Sequence, residues 1–148
     1  MKTVAENRRA RFDYEIVETL EAGIELRGFE VKSVKLGRMG IAGSYALIKN
    51  GEAWLLGAQI PPYQPKNTPP DYDPARTRRL LLRSEEISRL SGKLKEKSVA
   101  LVPLRAYLKH GLVKIELGLG KARKKADKRE LIKRRDAQRE MERHSPGR

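Results

Sequence analysis

The chain has 148 residues, of which 33 are lysine or arginine and 19 are aspartate or glutamate, so its net charge is +14. This length supports one domain with an extension, and the positive charge predicts a polyanionic partner, with nucleic acid favoured over membrane. The absence of cysteine excludes disulfides and thiol chemistry and fits a cytoplasmic protein. No apolar run approaches the roughly 20 residues of a spanning helix, so we expect no membrane association.

The first third of the chain predicts strands behind a short basic leader. The leader is the segment NRRAR, from Asn7 to Arg11. Apolar and charged residues alternate from Tyr14 to Leu20, which is typical of a half-buried strand. We predict a turn at Glu21-Ala22-Gly23 and a returning strand from Gly23 to Gly28. The run from Glu30 to Leu36 is too short for its pattern to distinguish a helix from a strand.

Two hairpins are the clearest local signals. The pair Asn50-Gly51 separates two apolar runs between Tyr45 and Leu56, and Asn-Gly favours a type I′ turn because both central residues need positive φ. A second hairpin is predicted from Val99 to Lys109 and from Leu112 to Leu119, joined at His110-Gly111.

A loop and a helix are predicted between these hairpins. The proline-rich segment from Ile60 to Pro74 predicts an irregular loop. The following helix is predicted to have Ser84 as its N-cap, Glu85 and Glu86 in its first turn, and Gly92 at its end.

Six predicted strands with little helix indicate a mainly β protein. We predict an OB-fold-like antiparallel barrel of five or six strands, with one to three short helices. Residues 1–120 are assigned to this barrel and its basic leader, and residues 121–148 to a basic C-terminal tail. The tail has twelve Lys or Arg against five Asp or Glu. From Asp127 onward its composition predicts a segment that is disordered when free and helical on a charged partner, with too few apolar residues to pack on the barrel. We expect a monomer.

Catalysis finds little support in the sequence. His110 and His144 fall at a hairpin turn and in the tail, without the spacing of a metal site or a nucleophile–base pair. Glu30, Glu52 and Glu116 fall on presumed strands, where isolated carboxylates are usually solvated. We therefore predict no enzyme, no metal and no cofactor.

Nucleic-acid binding is better supported, because basic residues cluster in four places. A protein that neutralises several phosphates gains affinity through counterion release. The scattered aromatic residues lack the pattern of a stacking platform for single strands. Structured RNA is therefore the favoured partner, and a generic OB-fold nucleic-acid-binding protein is the alternative. The clusters are Arg8, Arg9 and Arg11; Lys32, Lys35 and Arg38; Arg76, Arg78, Arg79 and Arg83; and the tail.

Four collinear segments carry a family resemblance: ENRRARFDYEIVETLEAGIELRGFEVKSVKLGR, GEAWLLGAQIPPY, DPARTRRLLLRSEEISRLSGKLKEK and LVPLRAYLKHGLVKIELGLGKARKKADKRELIKRRDAQRE. They cover nearly the whole chain and are similar to the SsrA-binding protein (SmpB) family. The resemblance implies an OB-type barrel that binds the tRNA-like domain of transfer-messenger RNA (SsrA). It implies a non-catalytic adaptor in trans-translation, which brings that RNA to stalled ribosomes for rescue and peptide tagging. The tail would probe the decoding centre and the empty mRNA channel.

The resemblance also implies roles for individual residues. Glu21 matches an RNA-binding carboxylate, and Leu81 matches a leucine on the RNA-facing surface. Because a carboxylate cannot pair with phosphate, Glu21 is expected to meet a base or sugar donor. Phosphate contacts are implied at Arg8, Arg11, Lys32, Arg76 and Arg78. The ribosome-directed part of the tail comprises Lys124, Lys125, Asp127, Lys128 and Arg129.

Three positions depart from the family pattern. Phe12 occupies the place of a usual His, and Ala126 the place of a usual His or Tyr that can stack on a base of the decoding centre. Arg83 replaces a common Asn or His, which predicts a phosphate contact in place of a directed hydrogen bond.

Overall fold

The structure is a computed structural model that describes residues 1–143. His144 and the end of the predicted tail lie outside the described residues. The described part contains seven strands, four α-helices and one short 3-10 helix. In chain order they are β1 (Lys2–Glu6), α1 (Ala10–Asp13), β2 (Tyr14–Ile24), α2 (Gly28–Lys35), β3 (Tyr45–Lys49), β4 (Glu52–Leu56), the 3-10 helix (Pro65–Asn67), β5 (Arg78–Leu81), α3 (Ser84–Lys93), β6 (Val99–Lys109), β7 (Leu112–Ala122) and α4 (Lys125–Arg143).

The strands form a closed antiparallel barrel. Their hydrogen-bonded order is β1-β6-β3-β4-β5-β2-β7, and a further pairing of β6 with β7 closes the ring. β6 pairs with β7 along its whole length. Its other edge is shared, because Leu101 pairs with Ala46 of β3 while the segment from Arg105 to Leu108 pairs with β1. Six strands therefore make the ring and β1 is attached outside it, which confirms the predicted mainly β, OB-like fold.

Aliphatic side chains fill the barrel. Leu55, Leu101 and Ile115 are fully buried, and they belong to one cluster that also takes in Val34 of α2 and Leu90 of α3. Alternate residues of each strand point inward, as the pleat requires. The two helices thus add apolar side chains to the same core, which fits the small aliphatic core expected from an aromatic content of 5%.

A second, smaller cluster lies outside the ring and beneath α1. Ala10 of α1 packs there on Val102 and Leu104. Two glycines of β7 make the close approach possible. A Cβ at Gly118 would lie 3.0 Å from the Leu104 side chain, and one at Gly120 would lie 2.8 Å from the Cβ of Tyr14. The basic leader is therefore held against the outer surface of β6, where the Asn7 backbone N–H donates to the Leu104 carbonyl at 2.8 Å.

Both predicted hairpins are confirmed. Asn50 and Gly51 have φ values of 53° and 74°, and His110 and Gly111 have values of 52° and 76°. Both residues of each turn thus adopt the positive φ that a type I′ turn requires. The run from Glu30 to Leu36, which the sequence left open, belongs to a helix.

Several predicted elements are corrected. β2 runs without a turn from Tyr14 to Ile24, so Glu21 lies within a strand. Residues 1–143 contain seven strands, two of which, β1 and β5, were not predicted. Helix α3 has Arg83 rather than Ser84 as its N-cap and ends at Lys93. β7 continues to Ala122, three residues past its predicted end at Leu119.

No helix in residues 1–143 combines the length and the apolar character that crossing a membrane would require.

Candidate nucleic-acid interface

Glu21 and Leu81 lie together on the outer surface of the barrel. Leu81 of β5 pairs with Gly23 of β2. A Cβ on Gly23 would lie only 3.2 Å from the Cβ of Leu81, so the missing side chain lets Leu81 lie over β2. Glu21 is two residues away on the same strand face. The structure therefore brings together the two residues that the resemblance assigns to RNA.

The Glu21 carboxylate is held from β6. Its Oε2 atom accepts a short hydrogen bond from the Tyr107 hydroxyl and a second from the Lys109 ammonium at 3.4 Å. The hydrogen bond from Tyr107 lowers the pKa of Glu21, with a further contribution from Lys109. Burial and the neighbouring carboxylate raise the pKa of Tyr107 to about 12. Glu21 is therefore ionised at neutral pH and accepts hydrogen bonds only.

Further charged residues surround this pair. Glu116 of β7 pairs with Glu21 on one side and with Arg105 of β6 on the other. Arg105 donates to Glu116 at 3.5 Å. Lys114 is the next outward residue of β7, and its positive charge also lowers the pKa of Glu21. We name this surface the Glu21 face: Glu21, Leu81, Arg105, Tyr107, Lys109, Lys114 and Glu116.

A basic hollow adjoins the Glu21 face on the leader side. It has a volume of about 340 Å³. Arg8 and Arg11 line it from the leader and α1, and Arg105 and Glu116 line it from the sheet. The guanidinium of Arg8 is exposed and lies 3.6 Å from Glu6. Exposed guanidinium groups beside a hollow of this size are suited to phosphate, so the structure leaves Arg8 and Arg11 accessible for their predicted role.

Lys32 and Arg83 are exposed but do not belong to the Glu21 face. Lys32 lies on α2, with its ammonium 5.7 Å from the centre of the Tyr63 ring. Arg83 lies between β5 and α3, where it forms an ion pair with Glu86 at 3.3 Å. Both side chains are accessible to solvent, so their predicted phosphate contacts stay predictions.

The predicted phosphate contact of Arg78 is wrong in this structure, and so is the predicted exposure of Glu30. Both side chains are fully buried, and they form an ion pair at 2.7 Å. Arg76 also binds Glu30 and keeps about a quarter of its side chain exposed. Arg78, which the sequence placed in a basic cluster, thus forms a buried ion pair with Glu30 and is not available to phosphate. Buried charges must be paired because water cannot solvate them.

These residues form one buried network between α2 and the proline-rich loop. Glu30 also accepts from the Arg27 backbone N–H at 2.8 Å. Arg78 donates to the backbone carbonyls of Ala58 and Pro74, each at 2.9 Å. Burial would raise the pKa of Glu30, but hydrogen bonds from Arg76, Arg27 and Arg78 outweigh it and lower the pKa to about 2. Since Arg78 begins β5, the network also fixes the strand that carries Leu81.

The tail begins with a helix that contacts α1. This helix spans Lys125–Arg143 in the chain without a partner, so the predicted disorder of the free tail and its predicted helix on a charged partner both stay predictions. The Lys128 ammonium lies 3.2 Å from the Asp13 carboxylate and 5.9 Å from the centre of the Phe12 ring. Arg123 donates from its backbone N–H to the Asp13 carbonyl at 2.9 Å. The tail therefore meets the barrel domain through polar contacts, although it lacks an apolar face.

The other predicted tail residues face solvent. Lys124, Lys125, Asp127 and Arg129 are exposed, as is Ala126. Lys128 alone in this motif is half-buried, because it lies against Asp13 and Phe12.

We expect the Asp13→Asn substitution to loosen the first turn of α4. Removing the charge deletes the ion pair to Lys128, and a partly exposed pair contributes about 0.2–1 kcal/mol. NMR Cα shifts of residues 125–130 should move part of the way toward coil values, with little change in melting temperature. Asp71→Asn, in the exposed proline-rich loop, is the matched control and should leave these shifts unchanged. Equal shifts in both variants would contradict the contact.

Sequence reasoning missed Arg105, Tyr107, Lys109 and Lys114 as members of the site. Nothing in the local pattern marks them, because their proximity to Glu21 depends on strand register. Tyr107 is also almost fully buried, with only 3% of it exposed.

Residues 1–141 contain no group of three or more His, Asp or Glu side chains suited to a metal ion.

Comparison with known proteins gives concordant matches. A sequence model of the family described as "SmpB protein" matches residues 4–146. The SsrA-binding protein of Chlorobaculum tepidum is 53% identical over 141 residues, which are 95% of this chain and 89% of that relative. The SsrA-binding protein of Synechococcus elongatus is 50% identical over 143 residues, which are 97% and 93% of the two chains.

A solved structure is also similar. It is described as "tmRNA-SmpB: a journey to the center of the bacterial ribosome", and the matching chain is 47% identical with a TM-score of 0.66. The match covers 81% of this chain and 84% of that one.

Proposed function

Because this chain belongs to the SmpB protein family, we propose that it is an RNA-binding adaptor in trans-translation. It binds the tRNA-like domain of transfer-messenger RNA and delivers that RNA to stalled ribosomes. The observation that carries the proposal is the near-complete match to SsrA-binding proteins at about 50% identity. The similar chain in a structure of tmRNA and SmpB supports the same RNA and the ribosome as partners.

The site supports a division of labour within the chain. The Glu21 face and the leader hollow form one continuous surface, since Arg105 and Glu116 belong to both. This surface recognises RNA, with Leu81 packing on a base or sugar and Arg8 and Arg11 meeting phosphates. Lys32, Arg76 and Arg83 would add phosphate contacts outside this surface. The tail acts separately at the decoding centre through Lys124, Lys125, Asp127, Lys128 and Arg129. We further propose that the protein is a non-catalytic, cytoplasmic monomer without a cofactor.

A gel-shift experiment tests the RNA-binding role. The tRNA-like domain should bind more tightly than bulk tRNA, and excess single-stranded oligonucleotide should not displace it. Glu21→Ala should weaken binding by about 10- to 150-fold, since a hydrogen bond to a charged group contributes about 1.5–3 kcal/mol. Glu52→Ala removes an exposed carboxylate from β4, across the barrel from β2 and β7, and should leave binding unchanged.

One observation favours the alternative of a generic OB-fold binder of single strands. Tyr45 and Leu56 pair on the outer face of β3 and β4, beside a hollow of about 480 Å³ that Trp54 lines. Exposed aromatic rings on a barrel can stack on unpaired bases. Displacement of the folded RNA by oligonucleotide, with no effect of Glu21→Ala, would favour this alternative over the adaptor.

A further inference from the structure

Tyr107 occupies an unusual position for an aromatic residue on the outside of a barrel. Its strand neighbours are Lys114 on β7 and Thr3 on β1. Its hydroxyl nevertheless reaches Glu21 on β2, which is two strands away. Adjacent strands are about 4.8 Å apart, so the ring must lie flat across β7 to span that distance. The ring is therefore part of the surface but almost entirely covered.

Arg105 covers the ring and fixes it. Its guanidinium carbon lies 4.7 Å from the centre of the Tyr107 ring. Arg105 is held in turn by Glu116 at 3.5 Å and by the Thr3 hydroxyl at 3.4 Å. The tyrosine hydroxyl is thus directed at one place, the Glu21 carboxylate.

The two oxygens of the Glu21 carboxylate have different surroundings. Oε2 of Glu21 accepts from both Tyr107 and Lys109. Within residues 1–141, the side-chain hydrogen bonds to this carboxylate go to Oε2, and the Glu21 side chain is 38% exposed. Oε1 is therefore the acceptor that an incoming ligand can reach, on the strand face where Leu81 pairs with Gly23.

We propose that Tyr107 is a positioning residue for RNA recognition, which fixes the Glu21 carboxylate so that Oε1 meets a single N–H or O–H donor of a base or ribose. The inference rests on the proposed function, because it deepens the role of the Glu21 face. A carboxylate with both oxygens free could accept two donors from one base edge. With Oε2 already occupied, recognition narrows to one donor, such as an exocyclic amino group or a 2′-hydroxyl.

The charges around the pair keep Tyr107 a donor. The pKa of Tyr107 is raised to about 12 by burial and by Glu21, so its proton stays in place throughout the neutral range. Lys109 and Lys114 face Glu21 with positive charge, and Glu116 faces it with negative charge. A carboxylate oriented before binding loses less conformational entropy in the complex, and this is the physical source of the affinity that Tyr107 contributes.

The Tyr107→Phe substitution tests the proposal. Phenylalanine keeps the ring, its burial and its contact with Arg105, and deletes only the hydrogen bond. We expect affinity for the tRNA-like domain to fall about 3- to 10-fold. We also expect the pKa of Glu21, followed by NMR of its carboxyl carbon, to rise toward its ordinary value. Tyr45→Phe, an exposed tyrosine of β3, is the control and should change neither quantity.

The same substitution made in a chain that lacks the Glu21 carboxylate separates the positioning role of Tyr107 from a general structural effect. In a Glu21→Ala chain, Tyr107→Phe should cause no additional loss of RNA affinity. An equal loss in both backgrounds, or an unchanged Glu21 pKa in Tyr107→Phe, would overturn the positioning role while leaving the proposed function intact. Normal RNA binding by Glu21→Ala would instead overturn the RNA-binding role of the whole face.

Discussion

Replacing Glu30 with alanine is expected to lower the free energy of unfolding by about 3–5 kcal/mol. The substitution leaves Arg78 fully buried without its carboxylate. Removing one partner of a buried pair is costly because the remaining charge keeps its full desolvation penalty. Urea denaturation at pH 7 measures the change. Glu52→Ala is the control. Both side chains of the Glu52–Arg79 ion pair are exposed, so this pair should contribute less than about 1 kcal/mol.

The same network predicts how stability depends on pH. The pKa of Glu30 falls from 4.5 to about 2 in the folded chain. A lowered pKa contributes stability above the unfolded value, and this contribution is lost as the pH falls from about 4.5 toward 2. The shift corresponds to roughly 3 kcal/mol. Glu30→Gln should therefore lose less stability than the unsubstituted protein between pH 5 and pH 2. Parallel losses in the two proteins would contradict the assignment.

Removing residues 127–148 is expected to reduce peptide tagging to background while changing RNA affinity less than about threefold. Glu21, Leu81, Arg8 and Arg11 all precede the deletion and lie on the barrel side, so RNA recognition remains. The deleted segment contains the Asp127-Lys128-Arg129 motif and nearly all of α4. Gel shift with the tRNA-like domain and a tagging assay on stalled ribosomes measure the two activities.

A full-length variant shows whether tagging requires the helical structure of α4 or only the positive charge of the tail. Ala137→Pro keeps every charged residue of the tail but breaks α4, at a cost of about 3 kcal/mol in the helix interior. We expect it to lose tagging and to retain RNA binding, whereas Ala137→Gly should retain both to a larger extent. Equal loss of RNA binding and tagging in the truncated chain would contradict the division between barrel and tail.

Local chemistry made parts of the fold predictable. The Asn50-Gly51 and His110-Gly111 turns were found because their positive φ values depend on a few adjacent residues. The barrel could be predicted because these hairpins and the other short strands together indicate a closed antiparallel sheet. The turn expected at Glu21-Ala22-Gly23 failed because Gly23 serves another purpose, which is to make room for Leu81 from a strand that is distant in sequence.

Strand register explains why most of the Glu21 face was missed. A bulge between Pro103 and Arg105 places an extra residue, Leu104, in β6. Leu101 points into the barrel before the bulge, and simple alternation would put Tyr107 inside as well. The bulge reverses the faces, so Ala106 enters the core and Tyr107 lies outside. Strand alternation in the sequence cannot indicate such a shift, because it depends on pairing with β7.

Arg78 shows the limit of reading charge clusters. It belongs to the run Arg76-Thr77-Arg78-Arg79, in which alternate residues point to opposite faces of β5. Arg79 is exposed while Arg78 is buried against Glu30. The sequence shows which residue types are present in this network. It does not show that Arg78 meets the carboxylate of Glu30, which is 48 positions away.

The strand β1 affects the tendency of the protein to aggregate through strand edges, because it pairs with an edge of β6. A bare strand edge invites pairing with another copy, and charge repulsion is one defence against such aggregation. RNA binding neutralises part of the +14 charge and so weakens that defence. Backbone pairing of β1 with β6 does not depend on charge or salt. β1 covers the edge of β6 from Arg105 to Leu108, so under these conditions the outer edge is that of the short strand β1 and not that of the long strand β6.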